Sequence, residues 1–539
     1  MAVIASQVDT ASDAFRDNRA AMLALIDGFR ALEQKVRDTS NARRPVFEKR
    51  GQLSPRDRIA HLLDRGSPFL EISTLAGWRM HDDDGGENIM GGGFIAGIGY
   101  VSGIRCMVTA SDSGIKGGTI APMGLRKSLR AQEIALKNCL PVVNLVESGG
   151  ANLNYQAEIF VDGGRGFANQ ARLSAAGIPQ ITVVHGSSTA GGAYVPGMSD
   201  YVVVVKGRAK IFLAGPPLLK SATGEIATDE ELGGAEMHTH VSGVAEYLAE
   251  DDADGIRIAR EIMARLPWNE RGPQLRKKDW RPPACDIDEL CGIVPVDYRK
   301  PYDVREVIAR LVDASDFTDF KPTWGSHTVC GQAAIEGEAV GIIGNNGPID
   351  TEGAAKAAQF IQLCDQAQMP LVFLQNTTGY MVGKEAERAG IVKHGSKMIQ
   401  AVTNARVPKL TLHIGASFGA GNYGMCGRAY DPRFIFAWPN NRIAVMGPEQ
   451  AAGVLAIVTE DKLRRAGQAV DEAMIAGMKA KVVQKMEGES TALFATARLW
   501  DDGLIDPRDS RRVLALCLAV CREADARETK TNAFGIARM

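Results

Sequence analysis

Apolar runs short enough for β-strands alternate with amphipathic stretches through most of the chain. Two regions each carry an amphipathic stretch, a proline with a short β-branched run, a second amphipathic stretch and a second apolar run. The amphipathic stretches and the second apolar run are 126–138, 166–176 and 180–185 in the first region, and 356–367, 395–405 and 409–414 in the second. Strands that alternate with helices in this way predict βαβ units.

The segments around these regions have their own patterns. Glycine-punctuated apolar residues over 88–110 and 329–345 predict a strand hairpin before each region. A leading helix is predicted over 12–39 and a helical region over 449–539. The stretch 267–295 is rich in proline and predicts the seam between two halves of the chain.

The two regions resemble each other in detail. Lys127 and Lys356 are 229 residues apart, and the same offset continues without a gap to Tyr194 and Tyr423. The identities fall on proline, glycine and tyrosine at the boundaries of elements, whereas a chance alignment would scatter them. The chain is therefore predicted to contain two copies of one α/β unit.

Composition is that of an ordinary globular protein. The 539 residues are 45% hydrophobic and 23% charged, which argues against disorder. The net charge is −2, so the chain has no overall positive charge that would attract nucleic acid or an anionic membrane. At roughly 150 residues per domain the length predicts three to four domains, or two large ones. The domain limits we expect are 1–30, 31–280, 281–525 and 526–539.

Cysteine usage and the N-terminus indicate a reducing compartment. The nine cysteines are scattered and form no CxxC pair, which argues against a disulfide framework and a zinc ribbon. No secretory signal is evident, and no apolar run approaches the roughly 20 residues of a membrane-spanning helix. We therefore expect a cytoplasmic protein. A mitochondrial-type presequence is the alternative, and Asp9, Asp13 and Asp17 count against it.

Two glycine-rich turns, 190–194 and 419–423, occupy matched positions after the second apolar run of each copy. The first amides of a helix lack intrahelical partners and lie at its positive dipole end. Unshielded by side chains, such amides can stabilise an oxygen that gains negative charge, as in an oxyanion hole. Close packing of helix on strand is the alternative for each turn alone. Repetition favours the oxyanion hole without deciding the matter.

No side chain by itself predicts a catalyst. Ser187 and Ser188 precede the first turn but do not form a GxSxG elbow. The eight histidines show no HExxH pattern or metal-ligand spacing, so no metal site is predicted. Lys116 could meet a ligand phosphate, although isolated basic residues are more often solvated.

Several longer stretches resemble one protein family. They are SGIKGGTIAPMGLRKSLRAQEIA at 113–135, ESGGANL at 147–153, TAGGAYVP at 189–196, FLAGPP at 212–217, SFGAGNYGMCGRAY at 417–430, WPN at 438–440 and VMG at 445–447. They resemble the carboxyltransferase (β) subunit of biotin-dependent acyl-CoA carboxylases over essentially the whole chain. Within that family the chain is similar to the 3-methylcrotonyl-CoA and geranyl-CoA carboxylase branch.

The resemblance implies an α/β fold of two tandem crotonase-like (ClpP/crotonase superfamily) domains. The amides of Gly191 and Gly192 would hold the enolate oxygen of the thioester, and those of Ala420 and Gly421 the ureido oxygen of biotin. The further substrate and biotin contacts that it implies are Lys116, Gly150, Ala151, Tyr155, Ala190, Thr378, Gly379, Phe418, Gly419, Asn422 and Tyr423. Biotin would itself take the substrate proton, which would explain why no His or Glu base is evident.

The resemblance also implies partners. The chain carries neither an ATP-grasp domain nor a Met-Lys-Met biotinylation site, so it would take carboxybiotin from a biotin carboxylase/biotin carrier α subunit. Acyl-CoA and carboxybiotin would bind domains of different copies, so a homo-oligomer is expected, with a hexameric core in an α6β6 holoenzyme. Neither nucleic acid nor a membrane is expected as a partner.

One segment departs from the methylcrotonyl pattern. Residues 154–167 are fewer than in the corresponding methylcrotonyl segment, and Tyr155 stands where a proline–basic pair is common. We expect this segment to be a loop near the acyl tail. The departure favours a longer branched enoyl-CoA, such as geranyl-CoA, carboxylated at its γ-carbon.

Other functions stay open from the sequence. A decarboxylase subunit of the glutaconyl-CoA type would share the fold and run the reaction in reverse, and a carboxylase for another acyl-CoA is a further alternative. A crotonase-type hydratase would need paired acidic residues at the turns, and none stand beside Gly191 or Ala420. A non-catalytic assembly protein would tolerate side chains that block these amides.

Overall fold

The computed structural model describes residues 3–81, 90–270, 278–532 and 535–536. The chain forms two compact units. The N-unit comprises Ala31–Leu275, Ala497–Leu499 and Val520–Met539, and the C-unit comprises Met1–Arg30, Arg276–Thr496 and Trp500–Ala519. Because each unit draws on distant parts of the chain, the sequential domain limits given above stay a prediction.

The N-unit contains an eight-stranded sheet. Its strands are β1 Leu70–Glu71, β2 Phe94–Val101, β3 Ile104–Ser111, β4 Val142–Ser148, β5 Gln180–Thr189, β6 Tyr201–Val205, β7 Lys210–Phe212 and β8 Tyr247–Ala249. Their order is β1-β2-β3-β4-β5-β6-β8, with β7 beside β5. The pairs among β1, β2 and β3 are antiparallel and all later pairs are parallel.

The C-unit contains a seven-stranded sheet. Its strands are β9 Thr318–Asp319, β10 Thr328–Ile335, β11 Glu338–Asn345, β12 Leu371–Thr377, β13 Lys409–Phe418, β14 Phe434–Ala437 and β15 Arg442–Ala444. Their order is β14-β13-β12-β11-β10-β9, with β15 beside β13. The α/β fold predicted from the sequence is confirmed in both units.

Helices connect and cover the strands. They are α1 Asp13–Asn41, α2 Arg44–Lys49, α3 Pro55–Leu62, α4 Pro122–Lys137, α5 Gln156–Ala175, α6 Tyr194–Gly197, α7 Pro216–Thr223, α8 Asp229–Gly233, α9 Ala235–His240, α10 Asp252–Arg265, α11 Leu290–Ile293, α12 Val304–Leu311, α13 Thr351–Gln366, α14 Lys384–Arg388, α15 Ile391–Asn404, α16 Gly419–Gly424, α17 Pro448–Arg465, α18 Glu472–Glu489, α19 Ala492–Ala497 and α20 Ser510–Asp525. Within the described ranges, none of them combines the length and hydropathy needed to cross a membrane.

The duplication extends to individual elements. The first residues of β4 and β12, of β5 and β13, and of α4 and α13 are each separated by the offset of 229 that the sequences share. A register shift in the β4–β5 pair between Val146 and Ser148 recurs in the β12–β13 pair between Gln375 and Thr377. The two copies therefore share the irregularities of their backbones as well as the order of their elements.

Two predicted boundaries are wrong. β5 and β13 each extend four residues past the predicted end, because Gly186 and Gly415 do not break the strands. Glycine is needed there to admit a neighbouring side chain: a Cβ on Gly186 would lie 2.7 Å from Glu147 Cγ, and one on Gly415 would lie 2.3 Å from Asn376 Oδ1.

The prediction of a loop over 154–167 is also wrong. The segment continues from a 3₁₀ turn into α5, and its glycines have helical conformation.

The predicted hairpins are confirmed where they are described, from residue 90 onwards. β2 pairs with β3 and β10 with β11 across two-residue turns. Both residues of each turn have positive φ, at Ser102 (51°) with Gly103 (77°) and at Glu336 (48°) with Gly337 (79°). This is the type I′ geometry whose twist matches that of the strands.

Candidate functional site

The ends of two adjacent strands form a matched pair of loops in each unit. In the N-unit β4 and β5 end side by side, with Ser148 paired to Ser188. Residues 149–151 follow β4 and residues 190–193 follow β5. A Cβ on Gly150 would lie 3.7 Å from the carbonyl oxygen of Thr189, so the two loops are in contact.

The C-unit has the same arrangement. Thr377 at the end of β12 pairs with Ser417 of β13. A Cβ on Gly379 would lie 3.6 Å from the carbonyl oxygen of Phe418. The two candidate sites therefore share their backbone geometry as well as their sequence pattern.

In each unit, one residue with a left-handed backbone conformation connects the second strand to the helix that follows it. Ala190 has φ +52° and its counterpart Gly419 has φ +55°. Alanine in this conformation costs roughly 1–2 kcal/mol relative to the right-handed one, and strain of this kind concentrates at functional sites. The turn places Gly191 at the second residue of a 3₁₀ helix, where no earlier carbonyl of the helix can accept from its amide. The amide of Gly192, at the third residue, has only the carbonyl of the N-cap residue Thr189 before it in that pattern.

Buried hydroxyls fix the loop that follows the first strand of each pair. Ser148 Oγ accepts from the amide of Gly150 at 3.2 Å and donates to the carbonyl of Gly118 at 3.1 Å. In the C-unit Thr377 Oγ1 accepts from the amide of Gly379 at 3.2 Å. Sequence reasoning missed these two residues, although a hydroxyl at the same position of both copies was the available signal.

A cavity of about 430 Å³ opens beside the N-unit turn. The predicted residues that line it are Gly150, Ala151, Ala190, Gly191 and Gly192. β4 lines it along the length of the strand through Val142, Asn144, Leu145, Val146 and Ser148, and residues of α4 and α5 also line it. The described lining residues carry hydrocarbon, hydroxyl and amide groups and the Met107 thioether, and no ionisable side chain.

The matched positions of the C-unit carry larger side chains. Phe360, Phe373 and Tyr380 are the counterparts of Ala131, Asn144 and Ala151 at the offset of 229. Phe360 and Phe373 are buried in the core between the sheet and α13 and α15, and Tyr380 packs against that core. The space that is open in the N-unit is therefore filled by aromatic rings in the C-unit.

Two predicted contacts of the N-unit lie outside the cavity lining. Lys116 is exposed at the start of a 3₁₀ turn whose last residue, Gly118, lines the cavity. Tyr155 packs edge-on against His81, with 5.0 Å between the ring centres. Leu153 and Ile159, which sequence reasoning did not select, line the cavity near Tyr155 instead.

The predicted residues of the C-unit differ in exposure. Thr378, Ala420 and Tyr423 are exposed, Gly419 and Asn422 are partly buried, and Gly379, Phe418 and Gly421 are buried. The Phe418 ring packs edge-on against Tyr298, with 5.1 Å between the ring centres. The amide group of Asn422 donates to Ser417 Oγ at 2.7 Å, so this side chain helps to hold the turn.

A buried charge network lies beneath the N-unit site. Arg58 donates to Glu147 Oε2 at 2.6 Å and to Asp252 Oδ2 at 3.0 Å, and His185 Nδ1 lies 3.0 Å from Asp252 Oδ1. Burial acts to raise the pKa of Asp252, but the hydrogen bond with His185 and the positive charges of His185 and Arg58 lower it to about 2. Burial lowers the pKa of His185. The network links Glu147 near the end of β4 to His185 within β5, and none of its four side chains lines the cavity.

Comparison with known proteins agrees with this geometry. The carboxyl transferase domain model matches residues 47–534. The chain belongs to the carboxyl transferase family. Its resemblance to the carboxyltransferase (β) subunits of biotin-dependent acyl-CoA carboxylases is thereby confirmed.

Three relatives illustrate the similarity. A probable biotin-dependent acyl-coenzyme A carboxylase beta2 subunit from Mycobacterium tuberculosis is 54% identical over 91% of both chains. A probable mitochondrial methylcrotonoyl-CoA carboxylase beta chain from Drosophila melanogaster is 48% identical over 100% of this chain and 95% of its own. The crystal structure of the P. aeruginosa geranyl-CoA carboxylase beta subunit is 62% identical, covers 100% of both chains and superposes with a TM-score of 0.94.

Proposed function

We propose that this carboxyltransferase moves the carboxyl group of carboxybiotin to the γ-carbon of a branched enoyl-CoA with an extended hydrocarbon tail, such as geranyl-CoA. The observation that carries the proposal is the cavity beside the N-unit turn. Its volume, about 430 Å³, is within the range of small-molecule sites, roughly 300–1,000 Å³. Its largely apolar lining suits a terpenoid chain.

The depth of the cavity favours a long acyl chain over a short one. The lining extends along β4 from Ser148 to Val142, which is about 20 Å at roughly 3.3 Å per residue. A thioester at the Gly191 and Gly192 amides would have its carbonyl at the Ser148 end. Its tail would extend toward Val142, and a methylcrotonyl group would leave most of this length empty.

Helix α5 supports the same conclusion. Gly163 and Gly166 line the cavity, and each glycine in a helix interior costs about 1 kcal/mol relative to alanine. Their φ values are ordinary and a Cβ on Gly163 would meet nothing within 4 Å, so neither the backbone nor packing requires glycine there. Space for a ligand beside this face of α5 is a sufficient reason for glycine at both positions.

The names of the relatives agree with a branched enoyl-CoA. The geranyl-CoA carboxylase beta subunit is more similar to this chain than the methylcrotonoyl-CoA chain from Drosophila, at 62% against 48% identity. We infer that the chain shares the longer substrate. The amides of Gly191 and Gly192 would then hold the thioester oxygen as conjugation brings it the charge of the γ-carbanion.

The C-unit turn fits the ureido group of biotin. Ala420 is exposed and precedes Gly421 in the first turn of α16, where amides lack intrahelical acceptors. Bound carboxybiotin would supply both the carboxyl group and the nitrogen that takes the substrate proton. The chain would position the two reactants and would stabilise charge on their oxygens.

A panel assay tests the proposed substrate. The chain is combined with a biotin-carrying α subunit, ATP and bicarbonate, and rates are measured with geranyl-, 3-methylcrotonyl-, propionyl- and acetyl-CoA. We expect geranyl-CoA to give the highest kcat/KM. A kcat/KM for 3-methylcrotonyl-CoA that exceeds it would assign the shorter substrate, and no carboxylation of any of the four would refute the proposed activity.

A further inference from the structure

One wall of the acyl cavity is made of backbone in an unusual conformation. Gly91, Gly92 and Gly93 have successive φ values of +85°, +73° and +61°, and they lead directly into β2. Gly92 and Gly93 line the cavity. The position of this wall therefore depends on the contacts that hold three left-handed glycines.

The first of these contacts is between two backbones. A Cβ on Gly92 would lie 2.7 Å from Gly124 Cα, and one on Gly124 would lie 2.1 Å from the carbonyl oxygen of Gly92. Gly124 is in the first turn of α4 and also lines the cavity. The wall is thus pressed against the start of α4 with no side chain between them.

The second contact comes from a buried lysine one turn further along α4. Lys127 is 1% exposed, and its ammonium donates to the carbonyl oxygen of Gly91 at 3.3 Å. The charged groups that face it are Arg56 on α3, Glu71 on β1 and Asp112 after β3. Glu71 is already engaged by both terminal nitrogens of Arg56, at 3.0 Å each.

Burying this ammonium is unfavourable. Desolvation, only partly offset by Glu71, lowers the pKa of Lys127 to about 8. An apolar side chain of similar length would fill the same space without this desolvation cost, while Glu71 keeps its ion pair with Arg56. The feature specific to the lysine is the hydrogen bond to the glycine wall.

The same arrangement recurs in the C-unit. Lys356, the counterpart of Lys127, is buried and donates to the carbonyl oxygens of Lys321 and Trp324 at 2.9 and 3.1 Å. Gly325 has φ +57°, and a Cβ on it would lie 2.7 Å from the amide nitrogen of Gly353, the counterpart of Gly124. In both units, therefore, the segment before the hairpin packs against the start of a helix, α4 in the N-unit and α13 in the C-unit, and accepts a hydrogen bond from a buried lysine of that helix.

We propose that Lys127 is a positioning residue, which holds the backbone segment before its hairpin at the distance that the acyl cavity requires. Lys356 makes the matching contact in the C-unit, where Phe360 and Phe373 fill the space that corresponds to the acyl cavity. This inference rests on the proposed function for the identity of the acyl-CoA ligand. Neither lysine touches a reacting atom.

Matched variants in the α–β holoenzyme test the proposal. Lys127→Met and Lys356→Met are compared with wild type in the transfer of a carboxyl group from the carboxylated acyl-CoA product to free biotin. Loss of a hydrogen bond from a charged donor predicts that Lys127→Met raises the KM for acyl-CoA roughly tenfold to a hundredfold, with kcat and the KM for biotin close to wild type. Lys356→Met removes the matching contact in the C-unit, where aromatic rings fill the corresponding space, and should leave the KM for acyl-CoA close to wild type.

The pH profile of wild type gives a second measurement that needs no variant. The ammonium form of Lys127 holds the wall, so the KM for acyl-CoA should rise as pH increases through about 8. Lys127→Met keeps Arg56, Glu71 and Asp112, and this rise should be absent from its profile.

An unchanged KM for acyl-CoA in Lys127→Met, or equal increases in Lys127→Met and Lys356→Met that follow melting temperature alone, would overturn the proposal, as would a wild-type KM that is flat between pH 7 and 9. The wild-type reaction separates this result from a failure of the proposed function. If wild type transfers no carboxyl group, the function is wrong, and calorimetric binding of acyl-CoA to wild type and Lys127→Met still decides whether the lysine positions the cavity.

Discussion

At the scale of single residues, Gly192 and Gly421 occupy matched positions but differ in the room around them. A Cβ on Gly192 would lie 3.7 Å from its nearest neighbour, Ser148 Oγ, which is an ordinary contact. A Cβ on Gly421 would lie 2.9 Å from Gly379 Cα. Packing therefore requires glycine at 421 and does not require it at 192.

This difference yields a prediction for valine substitutions. Gly192→Val should obstruct the oxyanion-binding amides while the fold persists, and loss of one such donor lowers kcat by about a hundred- to a thousandfold. Gly421→Val should lower the melting temperature, because the branched side chain collides with the backbone of Gly379. Melting temperature and kcat are measured for each variant.

Gly197→Val provides the matched control, since a Cβ on Gly197, at the end of α6, would meet nothing within 4 Å. It should leave both kcat and melting temperature near the wild-type values. Equal losses in Gly192→Val and Gly197→Val, or a loss in Gly192→Val that only follows melting temperature, would remove the catalytic assignment of the N-unit turn.

At the scale of elements, α5 combines a wall of the cavity with an exposed surface. Gly163 lines the cavity, whereas the next residue, Gly164, is exposed and does not. A Cβ on either residue would meet nothing within 4 Å. The pair therefore allows the same substitution to be made with and without filling the cavity.

We predict that Gly163→Phe lowers kcat/KM for geranyl-CoA at least tenfold and affects 3-methylcrotonyl-CoA much less, because the ring fills the space for the tail. Gly164→Phe should leave the ratio of the two kcat/KM values unchanged. Parallel loss on both substrates in Gly163→Phe would mean that the tail does not lie against α5. Asn144→Phe, which copies the C-unit residue Phe373, should shift the ratio in the same direction as Gly163→Phe.

At the scale of the whole molecule, large apolar side chains are exposed in both units. Leu153, Phe160 and Val161 of the N-unit are 79%, 83% and 77% exposed, and Ile457 and Val458 of the C-unit are 62% and 59% exposed. Extended apolar surface of this kind marks interaction sites in soluble proteins. It supports the proposal that copies of the chain associate with one another and with an α subunit.

The prediction is that sedimentation shows an oligomer and that the chain alone lacks ATP-dependent carboxylation. Phe160→Glu should shift sedimentation toward smaller species and lower the activity reconstituted with the α subunit. Gln156→Glu, which adds the same charge at an exposed position of α5, should change neither. A monomer with full reconstituted activity, or fixation of labelled bicarbonate by the chain alone, would contradict this prediction.

The sequence by itself determined the repeat and the positions of the glycine turns. Periodicity and turn residues act locally, so the two copies, their hairpins and the starts of β5 and β13 were predicted correctly. The turns were found because Gly192 and Tyr194 recur as Gly421 and Tyr423 at an offset of 229 residues, within two turns that are both glycine-rich. The family resemblance then supplied chemistry that no single residue type indicated.

Only the tertiary structure decided which parts of the site have room for a ligand. Glycine at 186 and 163 looks alike in a sequence, yet one admits the side chain of Glu147 and the other borders open space. Lys127 lies in a predicted amphipathic helix, where a lysine is expected on the solvent-exposed face. It is buried instead, because α3, β1 and the glycines before β2 surround it. The cavity likewise depends on side-chain volumes summed over separate elements, because Ala131 and Asn144 leave the space that Phe360 and Phe373 fill in the other copy.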